Sequence, residues 1–383
     1  MNRNSILIVA ARYSNNLGDD VIYDTVSEAC KIARGVEPFG LSISGKKGYT
    51  ENDFVESSNK NLKIVVKEYL KATPLFSVYV EKKGAMRLKE NLDKLNWDKF
   101  DTIVFAGGQL FMDYFVHWIA IIVSYAEKYN KKVVFNCCGM GKLSSKSVKL
   151  LCKVFQSDSI YSITIRDGVK QFKSLFGSEN VLQTIDPAIN SANVYGKREK
   201  IDGRVGIGII SYKMLIRNNI AITEDEYIDF IKHMIDFLEY HKRKIVVFTN
   251  GAIDDYEFAC FALRSIGKEK LLEKRPTRPV ELVDVIATCE YIISFRLHSL
   301  ILAAAYDIPS IGLVWDSKVT SFFETIKREE WAIMLNDGLS FEKLKYKIEN
   351  LLSITNYKTT CALKKSYDNL IEILKEGGKT SCQ

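Results

Sequence analysis

Along the chain, short runs without polar interruption alternate with longer stretches whose apolar residues recur at three- and four-residue spacing. The runs at 6–11, 102–106, 132–136 and 162–165, and again at 204–210, 244–249, 291–294 and 310–314, predict buried strands. Helical spacing covers 20–33, 116–128, 144–156, 224–242 and 280–288, with a very apolar short helix at 300–306 and a last helical pattern at 357–375. Strands that lack alternation are buried on both faces, which calls for parallel sheets covered by helices. The fold class expected is therefore α/β, with two Rossmann-like domains facing a central cleft, a GT-B-like arrangement. A polar, glycine-bearing stretch at 190–204 marks the connection. The expected division is 1–195, 204–355, and a C-terminal helix and tail at 356–383. That helix either closes the second domain or crosses back onto the first, and the tail from 376 is expected to fray.

Length agrees, since 383 residues suit two domains at roughly 100–200 residues each. A hydrophobic share of 47% against 26% charged excludes a disordered or fibrous chain. The net charge of +7, read as spread along the chain, permits acidic substrates or an anionic membrane surface without demanding either. Basic residues interspersed with acids argue against a nucleic-acid partner. The eight cysteines form no CxxC pair and mostly lie in apolar runs, as expected in a reducing compartment. Four histidines give a zinc site few ligands, so no metal is expected. The apolar runs at 6–11 and 119–123 are too short for an export signal or a membrane span, so the expectation is a cytoplasmic protein.

Candidate chemistry gathers where strands end. After the first strand, Asn16-Leu17-Gly18-Asp19 reads either as a ligand loop at a helix N-terminus or as a simple cap. Gly107-Gly108 marks close backbone approach to a ligand or to a neighbouring loop. Asp113, His117 and Trp118 follow at helical spacing and could line a sugar site, or Trp118 is core and His117 surface. Gly139-Met140-Gly141 is a tight turn or a truncated glycine loop. Arg166-Asp167 puts a guanidinium at a strand end, aimed at an anion or paired locally with its neighbour. The most informative segment is Arg296-Leu297-His298-Ser299, between a buried strand and a very apolar helix. Cation, imidazole and unpaired helix N–H groups meet there, which suits a small polyanion. Lys318, after Trp315-Asp316-Ser317, adds a further charge or is solvated.

Together with Asp186-Pro187-Ala188, these motifs appear in an order that resembles the polysaccharide pyruvyl transferase family, over roughly positions 5 to 325. The Arg296-Leu297-His298 segment with its apolar helix is the most specific part. Gln109 stands where many members carry a third glycine, and Cys137-Cys138 replaces polar residues. The resemblance implies transfer of a pyruvyl group from phosphoenolpyruvate to a hexose of a surface polysaccharide or its lipid-linked precursor, giving a cyclic ketal. Phosphoenolpyruvate is the donor substrate, and no cofactor is expected. By resemblance, Arg296, the Leu297 backbone and His298 hold the donor, with Arg166 as a further anion contact. From their positions Ser299 and Lys318 are expected on the donor side as well, and Arg296 and His298 are the expected catalytic pair. His117 falls in the acceptor-shaping region. Asn16, Gly18, Asp19, Gly107, Gly108 and Asp113 are the remaining acceptor-side candidates, with Asp19 or Asp113 as the base. A lipid-linked acceptor would make peripheral contact with the inner face of the membrane useful. The nearest rival is a nucleotide-sugar glycosyltransferase or epimerase of the same fold, with Glu281 suited to a ribose hydroxyl. A non-catalytic glycan binder is the other class.

Overall fold

The computed structural model describes residues 5–14, 16–49, 74–177, 181–335, 338–354, 357–361 and 363–377. In chain order the first elements are β1 (Ser5–Ala10), α1 (Leu17–Arg34), β2 (Phe39–Ser42), α2 (Pro74–Asp93), β3 (Phe100–Phe105) and β4 (Gly108–Phe111). Next come α3 (Asp113–Lys128), β5 (Lys132–Met140), α4 (Ser145–Phe155), β6 (Ile160–Ile165), α5 (Val169–Phe176), β7 (Leu182–Ile185) and a short α6 (Ser191–Tyr195). A second series follows with β8 (Arg204–Gly208), α7 (Tyr212–Arg217), α8 (Glu224–Tyr240), β9 (Lys244–Phe248), α9 (Ile253–Ser265) and α10 (Pro279–Ala287). It continues through β10 (Tyr291–Ser294), α11 (Leu297–Ala305), β11 (Ser310–Val314), α12 (Ser317–Thr325), β12 (Ala332–Met334) and α13 (Phe341–Leu352). The last described elements are β13 (Lys364–Lys365) and α14 (Ser366–Gly377).

The strands form two parallel sheets. One runs β13-β7-β6-β5-β3-β1-β2, with β4 beside β5, and the other runs β12-β11-β10-β8-β9. In both, the second strand lies on one side of the first and the third on the other. The order therefore reverses between β1 and β3, and again between β8 and β10. Ligands of such sheets bind beyond the strand carboxyl ends at this switch point, where the flanking loops part to opposite faces.

The chain divides into two compact units. The first comprises Met1–Ser14, Ile22–Pro187 and Lys364–Gln383, and the second comprises Asn15–Val21 and Ala188–Leu363. The division thus falls earlier than the polar stretch at 190–204, because Ala188 and Ser191 are fully buried and α6 packs within the second unit. The C-terminal segment belongs to the first unit: β13 extends its sheet through Lys364 opposite Thr184, and α14 buries Leu370 and Leu374. The end of the tail, 378–383, lies outside the described residues, as does Cys382.

Packing explains why the second sheet holds its loops rigidly. Strand β10 is buried throughout, and every residue of α11 from Leu297 to Ala304 is buried as well. Burying Leu300, Ile301 and Leu302 contributes about 1.5–3 kcal/mol each, so the β10–α11 turn is anchored on both sides. On the other face of the sheet, Ile207, Ile293, Ile311 and Leu313 pack against α8 and α13. Among the described residues no disulfide forms, and no helix is long and apolar enough to cross a membrane.

Candidate active site

In the second unit the strand ends converge on the turn that the sequence singled out. Strand β8 continues through Ile209 and Ile210 to Ser211, β9 through Thr249 to Asn250, and β10 through Phe295 to Arg296. Arg296 stands at the N-cap position of α11, its backbone N–H donating to Ser294 Oγ at 3.1 Å. The guanidinium does not reach out unaccompanied. Its Nε and Nη2 both donate to Asp255 Oδ2, at 2.9 and 2.5 Å. Asp255, in the first turn of α9, is fully buried and also accepts from the Ser211 N–H at 2.9 Å. Burial pushes its carboxyl above the usual carboxylate range, while Arg296 and the Ser211 N–H pull the other way. The pair fixes the guanidinium plane and leaves Nη1 without a hydrogen bond among the described residues.

His298 lies in the first turn of α11 and is 9% exposed. Its ring packs on the start of α1: a Cβ placed on Gly18 would lie 2.1 Å from His298 Cγ and Nδ1. Only glycine fits this approach. The α1 turn is held there by the Leu17 N–H, which donates to the Asn250 carbonyl at 3.1 Å. Asn16 Nδ2 donates to Asp19 Oδ2 at 3.3 Å, so this pair closes the turn in the manner of a cap. Ser299 is fully buried and donates to Asn250 Oδ1 at 2.6 Å, which makes it a support for Asn250. Around the same strand ends, Ser211 Oγ, Thr249 Oγ1 and Asn250 Nδ2 are buried and have no partner among the described residues. Three such groups at one sheet edge are what a polar ligand would satisfy. Beyond β11, Lys318 pairs with Asp316 at 3.2 Å and lies over the Trp315 ring at 5.3 Å. The Trp315 indole donates to the Phe295 carbonyl at 2.7 Å, joining the β11 and β10 ends.

The first-unit candidates are placed differently. Arg166 is buried between two carboxylates, donating from Nε to Asp167 at 2.7 Å and from Nη1 to Asp186 at 2.8 Å. Asp167 also accepts from the Met140 N–H at 3.0 Å, so the cluster ties together the ends of β5, β6 and β7. With two acids on one cation, Arg166 makes the local pair that was one of its two expected readings. Gly107 and Gly108 have φ of 110° and 80°, a region that favours glycine. A Cβ on Gly107 would meet the Asn136 carbonyl at 2.8 Å, so the close approach is to β5 itself. Asp113 accepts from the Ser144 N–H and hydroxyl at 2.8 and 3.0 Å, and hydrogen bonds from Ser147 and Ser144 hold its carboxyl below the usual range. It joins the starts of α3 and α4. Trp118 is core, and His117 is exposed on α3.

The family model for polysaccharide pyruvyl transferases matches residues 16–317, most of the chain and all of the strand ends just described. The chain belongs to the polysaccharide pyruvyl transferase family. No curated protein matches the sequence. Among solved structures, it is similar to Methanocaldococcus jannaschii UDP-GlcNAc 2-epimerase in complex with UDP-GlcNAc and UDP, at 14% identity and a TM-score of 0.54, covering 97% of this chain and 99% of that one. S. aureus MnaA, solved with UDP, is similar at 10% identity and a TM-score of 0.60, covering 98% of this chain and 97% of that one. At these identities the likeness shows the fold, two Rossmann-like units of the GT-B-like class.

Glu281, the residue suited to a ribose hydroxyl, is committed elsewhere. Its Oε2 accepts from the Thr277 and Arg278 N–H groups at 2.8 and 3.3 Å, and its Oε1 accepts from Arg278 Nε at 2.9 Å. Burial pushes its carboxyl up, but these hydrogen bonds outweigh it and hold the group below the usual range. Sequence reading missed Asp255, Asn250 and Ser211. The only signal for Asp255 was the acidic pair Asp254-Asp255 opening a helix, which is indistinguishable from an ordinary first turn.

Proposed function

We propose that this protein transfers the pyruvyl group of phosphoenolpyruvate onto two neighbouring hydroxyls of a hexose, in a surface polysaccharide or its lipid-linked precursor, forming a cyclic ketal and releasing phosphate. The observation that carries this reading is the meeting of Arg296, His298 and three unsatisfied buried polar groups at the β8–β10 switch point, in a chain of this family. Phosphoenolpyruvate presents a carboxylate and a phosphate. Arg296, held in plane by Asp255, offers Nη1 to one of these groups, and the α11 N-terminus with its Leu297 N–H favours the other.

In the proposed course, a proton is delivered to the methylene carbon and oxocarbenium character builds at the carbon bearing phosphate. A sugar hydroxyl adds there, the C–O bond to phosphate breaks, and the adjacent hydroxyl closes the ring. The two hydroxyl protons leave as the ketal forms, one replacing the proton given to the methyl group and the other leaving on phosphate as hydrogen phosphate. His298 is assigned the proton transfer, because imidazole gives and takes protons near neutrality. Arg296 is assigned stabilisation of the departing phosphate by a charge already in place.

The test is phosphate release from phosphoenolpyruvate across galactosides, glucosides and N-acetylmannosaminides. Release is expected only with an acceptor offering paired hydroxyls, and Arg296→Lys, which keeps charge but loses the fork, should lower kcat/KM on the order of a hundredfold. Turnover of UDP-sugars without phosphate release from phosphoenolpyruvate would replace this reading with that of an epimerase or glycosyltransferase.

A further inference from the structure

The charge of the chain is not evenly distributed. Between positions 142 and 177 there are six lysines and Arg166 against Asp158 and Asp167, so this short stretch carries +5 of the chain's +7. Arg166 is buried with its two acids, which leaves the lysines to define the surface. Lys146, Lys149 and Lys153 recur at three- and four-residue spacing on α4, opposite the buried Leu151 and Val154. Lys142 precedes them in the adjoining loop. Lys170 and Lys173 repeat the arrangement on α5, opposite the buried Phe172. The two helices meet through Phe155 of α4, packed on Phe172 and Phe176 of α5 at ring separations of 5.4 and 5.0 Å. Both helices lack an acidic residue in their first turns. Among the described residues none of the six lysines is ion-paired, whereas Lys31, Lys232, Lys268, Lys318 and Lys364 each pair with a carboxylate.

We propose that the lysine face of α4 and α5 docks the first unit on a membrane surface rich in anionic phospholipid. The chemistry of the face selects this occupant. Ammonium groups on flexible stems are point charges that match a diffuse layer of headgroup phosphates. Among the described residues the face has no exposed arginine fork for bidentate phosphate recognition, and neither helix carries an exposed aromatic ring. Base-stacking platforms of the kind that bind single-stranded nucleic acid are therefore missing from it. The apolar side chains of both helices are buried or half-buried, so attachment is electrostatic, reversible and sensitive to salt. The proposal stands on charge and helix geometry and is independent of the pyruvyl-transfer reading.

The experiment is co-sedimentation of the full chain with vesicles of phosphatidylcholine alone, and of phosphatidylcholine containing about one third phosphatidylglycerol. It is run from about 0.05 M to about 0.5 M salt. Binding is expected only to the anionic vesicles and should fade as salt rises. The triple variant K146Q/K149Q/K153Q should weaken binding roughly a hundredfold, at roughly fivefold per lysine. A control triple variant on other exposed lysines, K89Q/K94Q/K343Q, should bind as the parent does. Circular dichroism establishes that both variants keep their fold. The proposal is overturned if the parent ignores anionic vesicles, if both triple variants lose binding equally, or if poly(U) is bound more tightly than the vesicles at the same salt.

Discussion

A glycine and a histidine carry the sharpest residue-level consequence. Gly18 gives the His298 ring room that no other residue would, and the segment Arg296-Leu297-His298-Ser299 stood out in the sequence because a charged turn there separates two wholly buried elements. Gly18→Ala would insert a methyl group into the imidazole, with an overpacking cost of about 1–3 kcal/mol. The ring must then rotate or withdraw, and phosphate release should fall on the order of a hundredfold, the penalty for misplacing a reacting group by about 1 Å. Steady-state kinetics beside a thermal melt separate the two effects, and full activity in the variant would mean that His298 has no part in the chemistry. Asp255 shows the opposite kind of legibility. Arg296 was readable from its position at a strand end, but its partner lies 41 residues away on another helix, and only the fold brings them together. Arg166 admits two readings from the sequence, anion contact or local pair, and the local cluster is completed by Asp186, 20 residues away.

At the scale of elements, the strands that could be read were those buried on both faces. The apolar runs at 291–294 and 310–314 coincide with β10 and β11, because an uninterrupted Ile-, Leu- and Val-rich run has no other stable place. Short strands at or next to the sheet edges, such as β2, β7 and β12, are not legible, since three or four residues carry too little pattern and take their pairing from the neighbouring strand. Helix α8 was read with its start at the right residue, where Thr223 and Glu226 form a reciprocal cap. Helices α2, α5, α6, α7, α9, α12 and α13 are not among the predicted segments, and the last helical pattern begins too early, its first part at 357–361 being irregular. The ends of β5, β6 and β7 depend on the Arg166 cluster. Arg166→Ala should therefore cost on the order of 3–5 kcal/mol by leaving two buried carboxylates unpaired. If the cluster is structural, the variant melts lower while its KM for phosphoenolpyruvate stays put; a raised KM with an unchanged melt would return Arg166 to the donor site.

The whole molecule repeats one strand order twice, and the chemistry-bearing residues that the structure gathers lie at the switch point of the second sheet. The alternation of apolar runs and helical spacing was enough to reveal that doubling. The exact membership of each unit was not readable, because it depends on where α14 and the first turn of α1 pack, and neither is a local property. Nor does the fold choose the substrate, since proteins of similar structure include UDP-GlcNAc 2-epimerase. The donor decides the matter, and a thermal melt with ligand measures it directly. Phosphoenolpyruvate at about a hundred times its Kd should stabilise the folded protein by about 2.7 kcal/mol, raising Tm by several degrees, while Arg296→Lys should show a much smaller rise. Stabilisation by UDP-GlcNAc with no response to phosphoenolpyruvate would contradict the account.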